Sequence, residues 1–468
     1  MKLPLRVQID LRPSDAAQAM KAEQSEAAPK NFSGIALDTR AIQKGDLFFA
    51  LRASRDGHEF VSQAFEKGAS AAVVDHEIVG SGPLFLVGNT SQALRDLARD
   101  WRRNWGGKIV AISGSNGKTT TKEMTAALLA ADRPTLKAPG TWNNQLGVPL
   151  TLLMLRPEHR VAVLEMGMNA YGELRELGRT AEHDVAVLTN VGPAHLEKFG
   201  SLEGVAKAKR ELFEGLKKDG VAVVNLEDRN IRKLAEQFPG KKVTVSMGGG
   251  ADLRAKIRED LRGNGFVLDL AYGSSSVDLR VPFVGIHNVS NLLCACGAAY
   301  ALGVPAEKLQ AGIDRVEPVE MRLEVIPFPK GIRIVNDCYN ANPASMLVAL
   351  ETVRNLTTDR RIAVIGDMRE LGEFSTRAHR DIGIKIAGFK YARLFVMGQF
   401  AGDVRQGAVQ GGMSNVSITV GTTHEELAEA IARELRPNDT VLVKGSRAMK
   451  LETITERLAA ILKREEGK

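Results

Sequence analysis

The densest chemistry in the chain lies in Gly114-Ser115-Asn116-Gly117-Lys118-Thr119-Thr120-Thr121. A glycine-punctuated turn leaves backbone N–H groups open to an anion, and a helix that follows adds its own N-terminal amides. In such a loop the amine of Lys118 reaches the β- and γ-phosphates and the hydroxyl of Thr119 holds Mg²⁺. The strict pattern asks for glycine at position 112, where this chain has Ile112. The setting compensates. A buried strand (109–113) precedes the loop and a helical stretch (122–130) follows it, which favours nucleotide binding over a chance turn.

Glu165 and His195 come next. Each follows a strand-like run, 161–164 and 186–189, and a doubly wound sheet gathers its ligands at the carboxyl ends of its strands. Beside Thr119, a carboxylate and an imidazole make a plausible Mg²⁺ shell, although histidine is an unusual Mg²⁺ ligand. A helix-start residue packing locally is the equal alternative for His195. Lys209 falls in the basic run 205–210, and by spacing alone it belongs to a solvated helix face.

The elements that must position these groups form three blocks, expected at 1–104, 105–318 and 319–468. The first alternates short strands (33–37, 47–50, 71–74, 84–87) with helical stretches and reads as a small α/β domain. The second has strands at 109–113, 161–165, 185–190 and 221–225 separated by helices, the rhythm of a mostly parallel phosphate-loop sheet. The segment 241–285 breaks that rhythm and predicts an antiparallel patch closing the block. The third repeats the α/β alternation from 332 to 443 and predicts a Rossmann-like domain.

Composition narrows the rest. The chain has 468 residues with 44% hydrophobic and 25% charged, which excludes wholesale disorder. A net charge of +7 suits phosphorylated ligands, nucleic acid or an anionic membrane surface without choosing among them. Nucleic acid is disfavoured because aromatic residues are only 5% and the basic residues are dispersed among acids. The residues 1–10 lack the apolar core of a signal peptide, and 292–306 is too short to span a bilayer and reads as a buried helix. Cys294, Cys296 and Cys338 are too few for a disulfide framework, which fits a cytoplasmic protein.

Longer strings carry a resemblance. The phosphate loop, Asn143-Asn144-Gln145-Leu146-Gly147-Val148-Pro149, Glu165-Met166-Gly167, Asn190-Val191-Gly192-Pro193-Ala194-His195-Leu196, Gly285-Ile286-His287-Asn288 and Met321-Arg322-Leu323-Glu324 resemble the Mur ligases, ATP-dependent amide-forming enzymes of peptidoglycan synthesis. The strings 336–346, 366–373 with His379, and 443–447 are most similar to the branch that joins D-Ala-D-Ala to UDP-MurNAc-tripeptide. The same strings argue against a folylpolyglutamate synthetase, the nearest rival.

The resemblance implies ATP and Mg²⁺ as cofactors, the two peptide-bearing small molecules as substrates, no nucleic acid, no membrane insertion and a monomer. It implies that Gly114, Ser115, Asn116, Gly117, Lys118, Thr119, Thr120, Asn288, Arg322 and Asp337 serve ATP, with Arg322 near the phosphates and Asp337 near the ribose. Metal falls to Thr119, Glu165, His195 and Lys209, the last as a carbamate that turns a cation into an anion and reverses its solvated-face reading. Lys118, His195 and Lys209 become the catalytic set. Asp38, Thr39, Arg40, Asn144, Asn340, Asn342 and Lys444 become substrate-binding residues, the first three at the uridine diphosphate end.

Overall fold

The computed structural model describes residues 6–24, 29–78, 82–193, 196–261 and 263–466. Three sheets carry the fold. The first orders its strands Arg6–Leu11, Phe32–Ala36, Asp46–Phe49, Ala71–Val74, Leu84–Leu86 and Glu23–Gln24, with the four inner strands parallel and an antiparallel strand at each edge. The two edge strands were not expected. Arg6–Leu11 shows the alternation of a strand with one face buried, but Glu23–Gln24 is too short to leave a signature.

The middle sheet places Lys108–Ser113 between Val161–Glu165 and Val185–Leu188, with all three parallel. The chain builds one side of Lys108–Ser113 and then crosses to the other, so a crevice opens at the carboxyl ends of these strands. Val221–Asn225, Lys241–Ser246 and Leu253–Asp260 extend the sheet in parallel. Among the described residues the sheet's antiparallel pairings are the last two, of Phe266–Tyr272 with Leu253–Asp260 and with Ser275–Val281. The antiparallel patch expected at 241–285 therefore begins later, at the turn after Asp260. A short Gly-rich link, 248–250, joins the two parallel strands before it where a crossover helix is usual, and that hid their direction.

The third sheet orders Glu324–Pro327, Arg333–Asp337, Thr440–Lys444, Arg361–Ile365, Arg393–Val396 and Ile418–Val420, parallel except for its first strand. Helices Pro343–Leu356 and Ser375–Gly388 pack on one face, and His424–Glu434 and Glu452–Glu466 on the other.

The joint between the first two sheets is packed. One continuous apolar cluster runs from Val7 and Phe32 through Leu94 and Leu97 to Leu150 and Leu188. Helix Thr90–Trp105 is sewn to the middle sheet by Arg102, which is 2% exposed and donates to Ala181 O at 2.8 Å, Glu182 O at 2.9 Å and Asp184 at 3.2 Å. Cys294 and Cys296 lie in the buried helix Ile286–Ala301, where desolvation pushes both thiols up to about 12 and leaves them inert. Among the described residues no helix is long and apolar enough to cross a membrane.

Candidate functional site

The phosphate loop leaves strand Lys108–Ser113 and turns into helix Lys118–Ala130. Its two glycines are obligatory. Gly114 has φ +151° and a Cβ there would meet Thr189 Oγ1 at 1.9 Å; Gly117 has φ +80° and a Cβ would meet Asn291 Oδ1 at 2.3 Å. Asn190 holds the loop from the next strand end. Its carbonyl accepts from Ser115 N at 3.0 Å and its Oδ1 from Asn116 N at 2.9 Å. Those two amides are spent. The amides that face outward are those of the first helical turn, which have no intrahelical acceptor. Lys118 folds back over the loop and donates to Gly114 O at 2.9 Å and Ser115 O at 3.3 Å. Desolvation lowers its ammonium pKa, Glu165 opposes the shift, and Arg322 adds to it.

The hydroxyl of Thr119 donates to Glu165 Oε2 at 2.8 Å, and Asn143 Nδ2 donates to Glu165 Oε1 at 2.7 Å. Glu165 ends a wholly buried strand and is itself 1% exposed. Among the described residues no cation lies within ion-pair distance of its carboxyl group, whose oxygens accept from these two neutral donors. A hydroxyl and such a carboxylate are hard oxygen ligands, and the pair fits a Mg²⁺ ion. Lys209, on helix Leu202–Glu214, is 2% exposed and also lines the cleft. Desolvation and the charge of Lys118 hold its pKa well below the ordinary lysine range. The solvated-face reading is therefore replaced by a buried, readily neutral amine. His195 lies outside the described residues.

The opposite wall belongs to the third sheet. Arg322 Nη2 donates to Thr119 Oγ1 at 2.8 Å, and Asn342 Nδ2 donates to Asn116 Oδ1 at 2.8 Å. Asn342 also caps helix Pro343–Leu356 by accepting from Ser345 N. Asp337 and Lys444 end neighbouring strands, and Lys444 Nζ donates to Asp337 Oδ2 at 2.5 Å and Asn340 O at 3.0 Å. Its charge is engaged inside the third domain. Burial raises the Asp337 pKa, with Lys444 and Arg322 opposing. Asn288 closes the far end, with Nδ2 on Val284 O at 2.8 Å and Oδ1 accepting from Asn291.

Apart from Thr119, which is buried beneath them, these site residues line a cleft of about 700 Å³, which also takes in Thr120, Asn144 and Asn340. Asn144 spends its Oδ1 on Leu146 N and Gly147 N. Asp38, Thr39 and Arg40 do not line it. They stand beyond strand Phe32–Ala36 on the first sheet, where Arg40 pairs with Asp38 at 2.6 Å and Thr39 donates to Gln63 at 2.6 Å. Asn143, Asn190 and Tyr339 carry structural work at the site that the sequence reading left unassigned. All three sit inside strings already singled out, beside residues that were assigned.

The fold and this cleft define a phosphate-loop enzyme whose site is shared between two sheets. Residues 112–299 match the Mur ligase middle domain and residues 321–447 match the Mur ligase glutamate ligase domain. The chain belongs to the Mur ligase family. It is similar to the UDP-N-acetylmuramoyl-tripeptide–D-alanyl-D-alanine ligase of Bacillus subtilis, with 35% identity across 91% of this chain and 93% of the relative. The crystal structure of MurF from Acinetobacter baumannii superposes with a TM-score of 0.89 at 31% identity, covering 97% of this chain and 99% of that one. MurF ligase from Thermotoga maritima, solved in complex with ADP, gives 0.83 at 29% identity over 92% and 98% of the two chains.

Proposed function

We infer that this chain joins D-alanyl-D-alanine to UDP-N-acetylmuramoyl-tripeptide at the expense of ATP. The observation that carries the reading is the buried Thr119–Glu165 pair at the switch point of the sheet, faced by Lys118 and Arg322. Cations, free helix amides and a hard-oxygen pair converge there on one cleft, as phosphoryl transfer requires. Similarity to the tripeptide ligases across all three sheets supports the choice of substrates.

A carboxylate is a poor acyl donor, so it must be activated. The terminal carboxylate oxygen of the tripeptide attacks the γ-phosphorus, and ADP leaves. The amine of D-Ala-D-Ala then attacks the acyl carbon, loses a proton, and expels inorganic phosphate as the amide forms. Lys118 and Arg322 offset charge spread over the transferring phosphoryl oxygens. The amides of the first turn of Lys118–Ala130 orient the phosphates. Thr119, Glu165 and a carbamate on Lys209 would hold Mg²⁺, which neutralises phosphate charge when bound. Lys209 suits that modification because burial and the nearby Lys118 lower its pKa and so favour the neutral amine, the form that adds CO₂ with loss of one proton. Asp38, Thr39 and Arg40 would take the uridine diphosphate end on the first sheet, and Asn144, Asn340 and Asn342 the acceptor side.

The test is a mass-spectrometric assay of the purified chain with Mg-ATP, UDP-MurNAc-tripeptide and D-Ala-D-Ala. The expected product is the UDP-MurNAc-pentapeptide, formed only when the dipeptide is present. Equal ATP turnover without the dipeptide, or no pentapeptide, would overturn the reading.

A further inference from the structure

We infer that Tyr339 is a positioning residue that locks the third sheet against the second and aims Arg322 at the phosphate loop. The inference rests on the reading of the cleft given above. Arg322 sits on an awkward turn, because its neighbours Met321 and Leu323 both have positive φ, +56° and +51°. Non-glycine residues are disfavoured in that region, so such a turn persists only where surrounding contacts impose it. Tyr339 imposes it twice. Its backbone N–H donates to Met321 O at 3.2 Å, and its ring lies under the Arg322 guanidinium at 4.1 Å. Arg322 Nε is buried without a hydrogen-bond partner, so the ring is the surface that orients the guanidinium plane.

The phenol completes the lock. The Tyr339 hydroxyl and Thr141 Oγ1 share a hydrogen bond of 2.6 Å between residues of different sheets. Thr141 is firm because its loop is tied down from below by Lys122, which is fully buried and donates to Ala138 O at 2.9 Å and Gly140 O at 2.5 Å. The contacts form a circuit. They leave helix Lys118–Ala130 at Lys122, pass through Thr141, Tyr339 and Arg322, and return to the same helix at Thr119. The circuit closes only when the two sheets are together, so its hydroxyl link should set how often a loaded site reaches the reactive arrangement.

The test uses the full chain with Mg-ATP and both substrates, read by phosphate release. Tyr339→Phe keeps the ring and the backbone bond but loses the hydroxyl. A single hydrogen bond of this kind predicts a fall in kcat of roughly 3- to 10-fold, with the KM for UDP-MurNAc-tripeptide and the melting temperature unchanged. Thr141→Val should match it, and the double variant should be no worse than either single, because both remove the same bond. Tyr339→Leu, which also loses the ring, should cost about 100-fold in kcat. Parent kcat in Tyr339→Phe, multiplicative losses in the double variant, or a kcat loss that simply follows a lowered melting temperature would overturn the lock. A parent chain that releases no phosphate would instead overturn the functional reading.

Discussion

The two walls of the cleft are held by different means. On the middle-sheet side, Thr119, Glu165 and Lys209 are 3%, 1% and 2% exposed, and each is fixed by a strand end or a helix buried in one of the two apolar clusters that strand Val161–Glu165 feeds. On the third-sheet wall, Arg322 and Asn342 stand on a turn and a helix cap and reach across through single side-chain hydrogen bonds. The first wall is preorganised by folding. The second joins it through contacts that exist only when the sheets meet. Changes on the first wall should therefore remove chemistry, and changes on the second should reduce how often the chemistry is assembled.

The largest effect belongs to the first wall. Lys118→Ala should lower the phosphate-release rate by about 10³-fold while the melting temperature holds, since the lysine touches only the loop it serves. Near-parent turnover would break the distinction at once. Lys209→Ala should be nearly as damaging, by about 10²-fold or more, with partial recovery on adding short-chain carboxylates that replace the carbamate. Full activity without them would remove Lys209 from the metal set. On the opposite wall, Asn342→Asp retains the helix cap but loses the amide donor to Asn116, and kcat should fall only about 10-fold. A loss as large as that of Lys118→Ala would erase the contrast between the walls.

A last effect falls on stability and not on turnover. His183, fully buried ahead of strand Val185–Leu188, has its pKa lowered to about 4, first by desolvation. Between that value and the ordinary 6.5 the unfolded chain binds the extra proton, so stability rises with pH across this window. Its contribution is complete above about 6.5 and is lost as pH falls towards 4, roughly 3 kcal/mol in all. Urea unfolding at pH 7.5 and pH 4.5 should show a smaller drop in His183→Gln than in the parent. Equal drops would assign the acid sensitivity elsewhere.

Much of the preorganised wall was legible in the sequence. Strands Val161–Glu165 and Val221–Asn225 fall at the residues where unbroken apolar runs placed them, because strands buried on both faces leave no polar ambiguity. Glu165 and Thr119 could be brought together because strand-end logic converts chain order into position. Lys209 could not be read that way. Its helix looks amphipathic and solvated in sequence, and only packing reveals that the lysine points into the cleft. The third-sheet wall was legible only as strings. Nothing in the spacing of Tyr339 and Thr141 predicts a hydrogen bond between residues 198 positions apart. The parallel direction of Lys241–Ser246 and Leu253–Asp260 was hidden for a related reason, since direction depends on what crosses the sheet and not on strand composition.

The central claim is that the cleft activates a carboxylate by phosphorylation. It is tested most directly with UDP-MurNAc-tripeptide carrying ¹⁸O in its terminal carboxylate, followed by mass analysis of the phosphate released in the presence of Mg-ATP and D-Ala-D-Ala. The acyl phosphate route predicts one ¹⁸O atom in each phosphate. Unlabelled phosphate formed alongside the pentapeptide would contradict it.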